Sequence, residues 1–259
     1  MKKKPINYVF FSIFALCFIF ACTLFVRQRN DDASLLKAAS KGEAEKVARF
    51  LAAGVDVNTT DALGRTALMN AAATGNLQTI KILVEHGANI NASNSHGTTA
   101  LMYAARHSTC KRRKYLVQHG ADVNMRDNCG HTALMHQAYA GNYPAVKFLL
   151  TNGAIIDIFD CNGFGALTYA AIKNRADIVE LLIRHGANPN KKANIYSLTP
   201  LMLAAKYNSV ETVKVLIEKG ANINAKDIHG RTAMDYAIYN AHDDVVKHLK
   251  APCARPRLR

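Results

Sequence analysis

The chain has no tryptophan, and only six prolines are spread over its 259 residues. Scarce proline leaves room for many helices, because a proline inside a helix removes one hydrogen bond and clashes with the preceding turn. Motifs that carry chemistry are missing as well. There is no nucleophile elbow, phosphate loop, His-Glu-x-x-His pair or paired-carboxylate arrangement, so no enzyme, cofactor or small-molecule substrate is expected. Acidic residues are few, 19 against 33 lysines and arginines, and the formal net charge is +14. That excess raises nucleic acid as a partner. No recognition helix, zinc finger or stacking platform accompanies it, and nucleic-acid binding is not expected. Much of the excess lies at the two ends, where anionic lipid accounts for it equally well.

Long apolar runs are absent too, apart from Ile6–Val26. Lys2, Lys3 and Lys4 precede that run, and Arg27 and Arg29 close it. At ~1.5 Å per residue its length crosses a ~30 Å hydrocarbon layer. An uncleaved signal anchor is expected, giving a single-pass membrane protein. Cleavage, with a secreted or periplasmic product, is the alternative. The positive-inside bias places the amino terminus in the cytoplasm and the rest across the membrane.

What is abundant is repetition. Asp61–Ser93 reads DALGRTALMNAAATGNLQTIKILVEHGANINAS, and similar units follow as Asn94–Arg126, Asp127–Phe159 and Asp160–Lys192. Ala193 is one extra residue before Asn194–Lys226, and Asp227 opens an incomplete copy. A unit of this size cannot bury its own apolar face and must stack on its neighbours. Thr66, Thr99, Thr132, Thr199 and Thr232 sit where an N-cap precedes a short first helix. Leu68, Ala71 and Ala72, with their equivalents, let first helices approach closely. Ile80 and Leu83, with Val146/Leu149, Val179/Leu182 and Val213/Leu216, form the buried stripe of a second helix. Gly87, Gly120, Gly153, Gly186 and Gly220 suit the left-handed conformation past its end. Before Ser34–Thr60, Asp32 or Ser34 is the expected cap of the first helix.

The segments TALMNAA, TALMYAA, TALMHQA and TPLMLAA, with GANIN, GADVN and GANPN, resemble the ankyrin-repeat family. The resemblance covers 34–251, as seven repeats near 34–60, 61–93, 94–126, 127–159, 160–193, 194–226 and 227–251. Residues 1–5 form a basic end, 6–26 the apolar segment, 27–33 a linker and 252–259 a basic tail. The whole resembles bacterial-type membrane-anchored or exported ankyrin-repeat proteins. The resemblance implies an all-α solenoid of helix pairs with projecting hairpin-like fingers. It also implies a non-enzymatic scaffold for protein partners. Met69, Met102, Met135 and Met202 depart from the family's first-helix histidine, and Pro200 alone retains its proline.

The third repeat departs furthest, reading STCKRRKYL. Arg113 holds a register that is apolar elsewhere, and its stem is expected to lie over the core with the guanidinium in water. Lys111, Arg112, Arg113 and Lys114 are either a degenerate helix or a basic patch for an acidic partner. Cys129 and Cys161 lie in successive fingers, expected ~10 Å apart and so beyond the reach of a disulfide. His86, His119 and His185 share a register at second-helix ends, too widely separated for one zinc, and no metal site is expected.

In families of this kind partners usually meet the finger tips and inner helices. Those registers select Leu63, Arg65 and Ala73, then His96, Arg106 and His107, then His131 and Tyr139. Phe164, Ile172 and Lys173 follow, then Tyr196, Leu198, Lys206, Tyr207 and Tyr239. Phe164, Tyr196, Leu198, Tyr207 and Tyr239 are expected to expose an apolar band rimmed by Lys173 and Lys206, fitting an unidentified protein with acidic groups around an apolar core. A structural, self-associating or membrane-surface role is the alternative, followed by binding of acidic ligands or nucleic acid.

Overall fold

A computed structural model describes residues 28, 30–105, 110–193 and 195–250. The apolar segment 6–26, the tail 252–259, and Arg106 and His107 of the expected partner face lie outside the described residues. Among the described residues no helix is long and apolar enough to cross a membrane.

The chain divides into two compact units, Met1–Asn89 and Ile90–Arg259. The first contains a helix over 30–41 (α1), then α2 (Ala44–Ala52), α3 (Ala67–Thr74) and α4 (Leu77–Glu85). Asp32 and Ser34 lie inside α1, which is already under way at residue 30, so neither is the expected cap. Helix α4 packs on α2 and α3. Its N-cap Asn76 serves twice: Oδ1 accepts from the Thr79 amide, while Nδ2 donates to the Gly42 carbonyl one repeat earlier.

Among its described residues the second unit holds five helix pairs. These are α5 (Ala100–Ala105) with α6 (Cys110–Gln118), α7 (Ala133–Ala140) with α8 (Tyr143–Thr151), and α9 (Ala166–Ile172) with α10 (Ala176–Arg184). Then come α11 (Pro200–Lys206) with α12 (Val210–Glu218), and α13 (Ala233–Tyr239) with α14 (Asp243–Lys250). First helices pack in line, α5 on α7, α7 on α9, α9 on α11 and α11 on α13. Second helices from α8 to α14 make a parallel row, each also touching its own first helix. The small residues expected at the first-helix contacts are there: Ala104, Ala105, Ala170, Ala171, Ala204 and Ala205 are fully buried. The larger stripe residues Val146, Leu149, Val179, Leu182, Val213 and Leu216 are buried as well.

The threonine caps form as the sequence predicts. Thr66, Thr132 and Thr199 each accept the amide of the methionine three residues on. Gly165 occupies that place before α9 and makes no side-chain cap. In α13 the cap is reciprocal, because Asp235 Oδ2 also accepts the Thr232 amide at 2.7 Å. Asp235 is therefore a capping residue. The last asparagine of three GANIN-like segments, Asn91, Asn124 and Asn190, joins neighbouring turns: Asn91 Oδ1 accepts the Asp122 amide, while Asn91 Nδ2 donates to the Gly120 carbonyl.

No strand is formed among the described residues. Isolated bridges, Thr60 with Thr66, Ser93 with Thr99 and Ala193 with Leu198, pinch the bases of fingers. Successive fingers of the second unit are in backbone contact, with the Asn128 amide on the His96 carbonyl and the Cys161 amide on the Cys129 carbonyl, both at 2.9 Å. The expected ~10 Å gap between Cys129 and Cys161 is thereby corrected, since helices are held apart by side chains and these fingers are not. Both thiols are free and exposed.

Helix α6 supplies a second correction. Lys111 and Lys114 are exposed, but Arg112 is buried and Arg113 fully so. Helical periodicity turns positions 112 and 113 inward together, at the registers of Thr79/Ala145 and Ile80/Val146. Burial, followed by the charge of Arg113, lowers the pKa of Arg112. The four residues do not form a surface patch, and the Arg113 guanidinium does not reach water.

Candidate partner-binding face

Among the described residues, five fingers are each built on one carboxylate or amide. Asp61, Asn94, Asp127, Asp160 and Asp227 each turn Oδ1 toward the amides two and four residues on, at 2.8–3.0 Å. This turn satisfies local donors that no helix or sheet would use. The second oxygen remains for side chains. At Asp227 it accepts from Arg231 Nε at 2.9 Å and from the Tyr236 hydroxyl at 2.8 Å.

The Asp227 side chain is fully buried. Burial alone would raise its pKa, but the Tyr236 hydroxyl, the Arg231 amide and guanidinium, and the His229 amide outweigh it and hold the carboxyl at about 2. Tyr236 is pushed up to about 12 by burial and by its bond to the carboxylate. A carboxyl whose folded pKa lies below its unfolded value stabilises the fold above the unfolded value and loses that contribution as pH falls through the folded one. The urea midpoint of the full chain is therefore expected to drop between about pH 4 and pH 2, and to drop less in Asp227→Asn. Asn94 shows that an amide holds the same turn. An equal drop in both proteins would remove Asp227 as a cause.

Around this clamp lies a cavity of 440 Å³, lined by Tyr196, Leu198, Lys206 and Tyr239 together with Arg231, Asp235, Tyr236 and Asn240. Four of the residues selected from sequence thus meet at one place. Tyr239 is 89% exposed and Tyr196 45%, but Leu198 is only 6% exposed, so it floors the cavity and does not belong to an exposed band. Its backbone pairs with Ala193 at the finger base, which turns the side chain inward. Tyr207 is exposed, with Lys206 Nζ 5.5 Å from its ring centre. Lys173 Nζ lies 4.5 Å over the Tyr139 ring, so both rim cations rest on tyrosines. Phe164 and Ile172 are half-buried, and Phe164 meets the edge of Tyr169. A second cavity, of 480 Å³, joins Phe164 to Ile195 and Tyr196.

The remaining selected residues are not brought to this cavity. Leu63 is exposed in the first unit, where Arg65 is paired with Asp61 at 2.7 Å and Ala73 is half-buried. His96 is exposed at its own finger. His86, His119 and His185 each bond, through Nδ1, the carbonyl four residues earlier in their own helix.

His131 belongs to a network that the sequence reading did not assemble. Asp127 Oδ2 lies 3.2 Å from both His131 Nδ1 and His136 Nε2. On its far side His131 Nε2 lies 3.0 Å from the Tyr169 hydroxyl and 3.4 Å from Asp160 Oδ2. Tyr169 donates to the same Asp160 oxygen. Burial of Asp127 works to raise its pKa, but the His131 amide and the two imidazoles overcome it and keep the carboxyl below its ordinary range. Asp127, His131 and His136 place one ligand-type atom each within 4.8 Å of one another. The signal in the sequence is Asp-x3-His-x4-His, the finger carboxylate followed by its two clamp positions.

A helix pair, a finger built on one Asp or Asn, and an asparagine joining adjacent turns recur together at a fixed interval. A family model for ankyrin repeats, in three copies, matches residues 35–127, 113–193 and 191–256. The chain belongs to the ankyrin-repeat family. Its fold is similar to the crystal structure of the human ASB11 ankyrin repeat domain, at 25% identity and a TM-score of 0.73, over 85% of this chain and 99% of that one. No match is found among the curated proteins.

Proposed function

We propose that this ankyrin-repeat protein is a non-enzymatic recognition scaffold, and that it holds a protein partner at the cavity between Tyr196 and Tyr239. Family membership supports the scaffold. The observation that carries the site is the meeting of two exposed tyrosines, Tyr196 and Tyr239, in the lining of one cavity, with exposed Ile195 and Ile228 in the two fingers beside it. Single exposed apolar residues are ordinary on a protein surface, whereas a cluster beside a concave opening marks an interface. Rigid aromatics entering or lining a pocket supply most of the energy of such contacts. Lys206 in the lining favours an acidic group on the partner, whereas Arg231 there is already paired with Asp227. Changing Tyr196 and Tyr239 together to alanine is expected to lower partner recovery from native extract about tenfold, equivalent to about 1.4 kcal/mol, with helicity unchanged. Equal recovery by both proteins would remove this cavity as the site.

The uncharged run Ile6–Val26, with its flanking lysines and arginines, supports a membrane tether for the scaffold. Release of the full chain from membranes by alkaline carbonate would contradict the tether and leave the recognition site untouched.

A further inference from the structure

We propose that Asp127, His131 and His136 form a binding site for one zinc-type divalent cation, with a coordination position left open toward the cavity beside Tyr139. The same positions are filled differently in other repeats. The finger carboxylate is clamped by the residues four and nine places on, which are Arg231 and Tyr236 at Asp227. At Asn94 the residue nine places on is Tyr103, and Asn94 Nδ2 donates to its hydroxyl. At Asp127 both clamp positions are imidazoles, and both approach the same carboxylate oxygen. A guanidinium only donates hydrogen bonds, whereas an imidazole nitrogen also carries a lone pair that a metal can take.

Geometry favours the ion. A tetrahedral zinc with bonds of about 2.0–2.1 Å holds its ligand atoms about 3.3 Å apart. Asp127 Oδ2 is 3.2 Å from His131 Nδ1 and 3.2 Å from His136 Nε2, so two of the three edges already have that length. The third edge is within 4.8 Å.

The surroundings provide the independent observation. A histidine ligand is normally oriented by an acceptor on its other nitrogen. With Nδ1 on the metal, His131 Nε2–H faces Asp160 Oδ2 at 3.4 Å, and the Asp160 side chain is fully buried. The Tyr169 hydroxyl, 3.0 Å from the same His131 nitrogen, donates to that Asp160 oxygen and completes the acceptor pair behind the ring. On the open side a cavity of 230 Å³, lined by His131, Met135, His136, Tyr139 and Tyr169, has room for a water as the remaining ligand. Two imidazoles, one carboxylate and a water form a nitrogen–oxygen set that suits Zn²⁺ and excludes the oxygen-only preference of Ca²⁺ or Mg²⁺.

The repeats also supply the test variant. His131→Arg with His136→Tyr writes the Arg231/Tyr236 clamp into the fourth repeat, which keeps the carboxylate partnered and removes both nitrogen ligands. Metal-stripped full-length protein is titrated with ZnCl₂ by calorimetry. Wild type is expected to take up one equivalent, and the double variant to bind it about a hundredfold more weakly or worse, beyond the cost of losing an outer partner alone. The metal-free variant should melt no lower than metal-free wild type. Should it fail to fold, imidazole ¹⁵N spectra of wild type decide the matter. Zn²⁺ is expected to shift His131 Nδ1 and His136 Nε2, leaving His86 and His119 in place. Absence of stoichiometric binding, unchanged affinity in the double variant, or shifts spread over all histidines would each overturn the site.

Discussion

Ala171→Arg is expected to cost the second unit about 3–5 kcal/mol, the range found when a charge is left uncompensated in an interior. Ala171 is fully buried in α9, which packs on α7, α10 and α11 at once. No water reaches the position, and a longer side chain must push the first-helix row apart. Repeat arrays are stabilised by each repeat's contacts with its neighbours, so damage at a shared contact propagates to both sides. The loss is a large part of the roughly 5–15 kcal/mol by which domains are usually stable. Urea unfolding followed by circular dichroism reads it as a lower midpoint. Tyr207→Arg, at the exposed C-cap of the next first helix, should stay within about 0.5 kcal/mol of wild type. Similar midpoints for Ala171→Arg and wild type would show that the first helices are not packed in line.

Gly97→Ala is the second large effect, at about 2–3 kcal/mol in the same measurement. Gly97 has φ +76°, and a Cβ there would stand 2.7 Å from the Asn128 amide nitrogen of the next finger. The new methyl therefore meets both backbone strain and an immovable neighbour, and it threatens the bond from the Asn128 amide to the His96 carbonyl. Gly230 provides the matched control. It has the same φ of +76° but nothing within 4 Å of its Cβ position, so Gly230→Ala should show the left-handed strain alone, about 1–2 kcal/mol. The difference between the two variants measures the finger-to-finger contact. Equal costs would mean that the fingers do not touch.

The fold was legible wherever one side chain has one local task repeated at the 33-residue interval. Thr66 caps its own helix, Leu83 fills its own stripe and Gly87 ends its own second helix, so position in the repeat was enough. The fold was not legible where the task lies between elements. Arg112 shares a buried register with Thr79 and Thr212 as well as with Ala145 and Ile178, a position of mixed polarity that gave no clear sign of burial in the sequence. Cys129 and Cys161, in successive fingers expected ~10 Å apart, have backbones that bond directly. Leu198 looked like a finger-tip residue, yet its pairing with Ala193 at the base buries it.

The candidate site divides along the same line. Tyr196, Lys206 and Tyr239 were readable because large or charged residues at otherwise variable positions need no core explanation. Asp127, His131 and His136 each have an ordinary role when read alone, as a turn former, a finger residue and a helix residue. Only the fold shows two rings closing on one carboxylate oxygen.

The recognition claim is tested most directly by where a partner touches the chain. A photo-crosslinking amino acid placed at position 196 or 239 of the full-length protein, in its own cells, should yield the same single discrete protein adduct. The same probe at Lys147, exposed on the second-helix row, should yield none. An identical adduct from position 147, or no adduct from 196 and 239, would contradict the account.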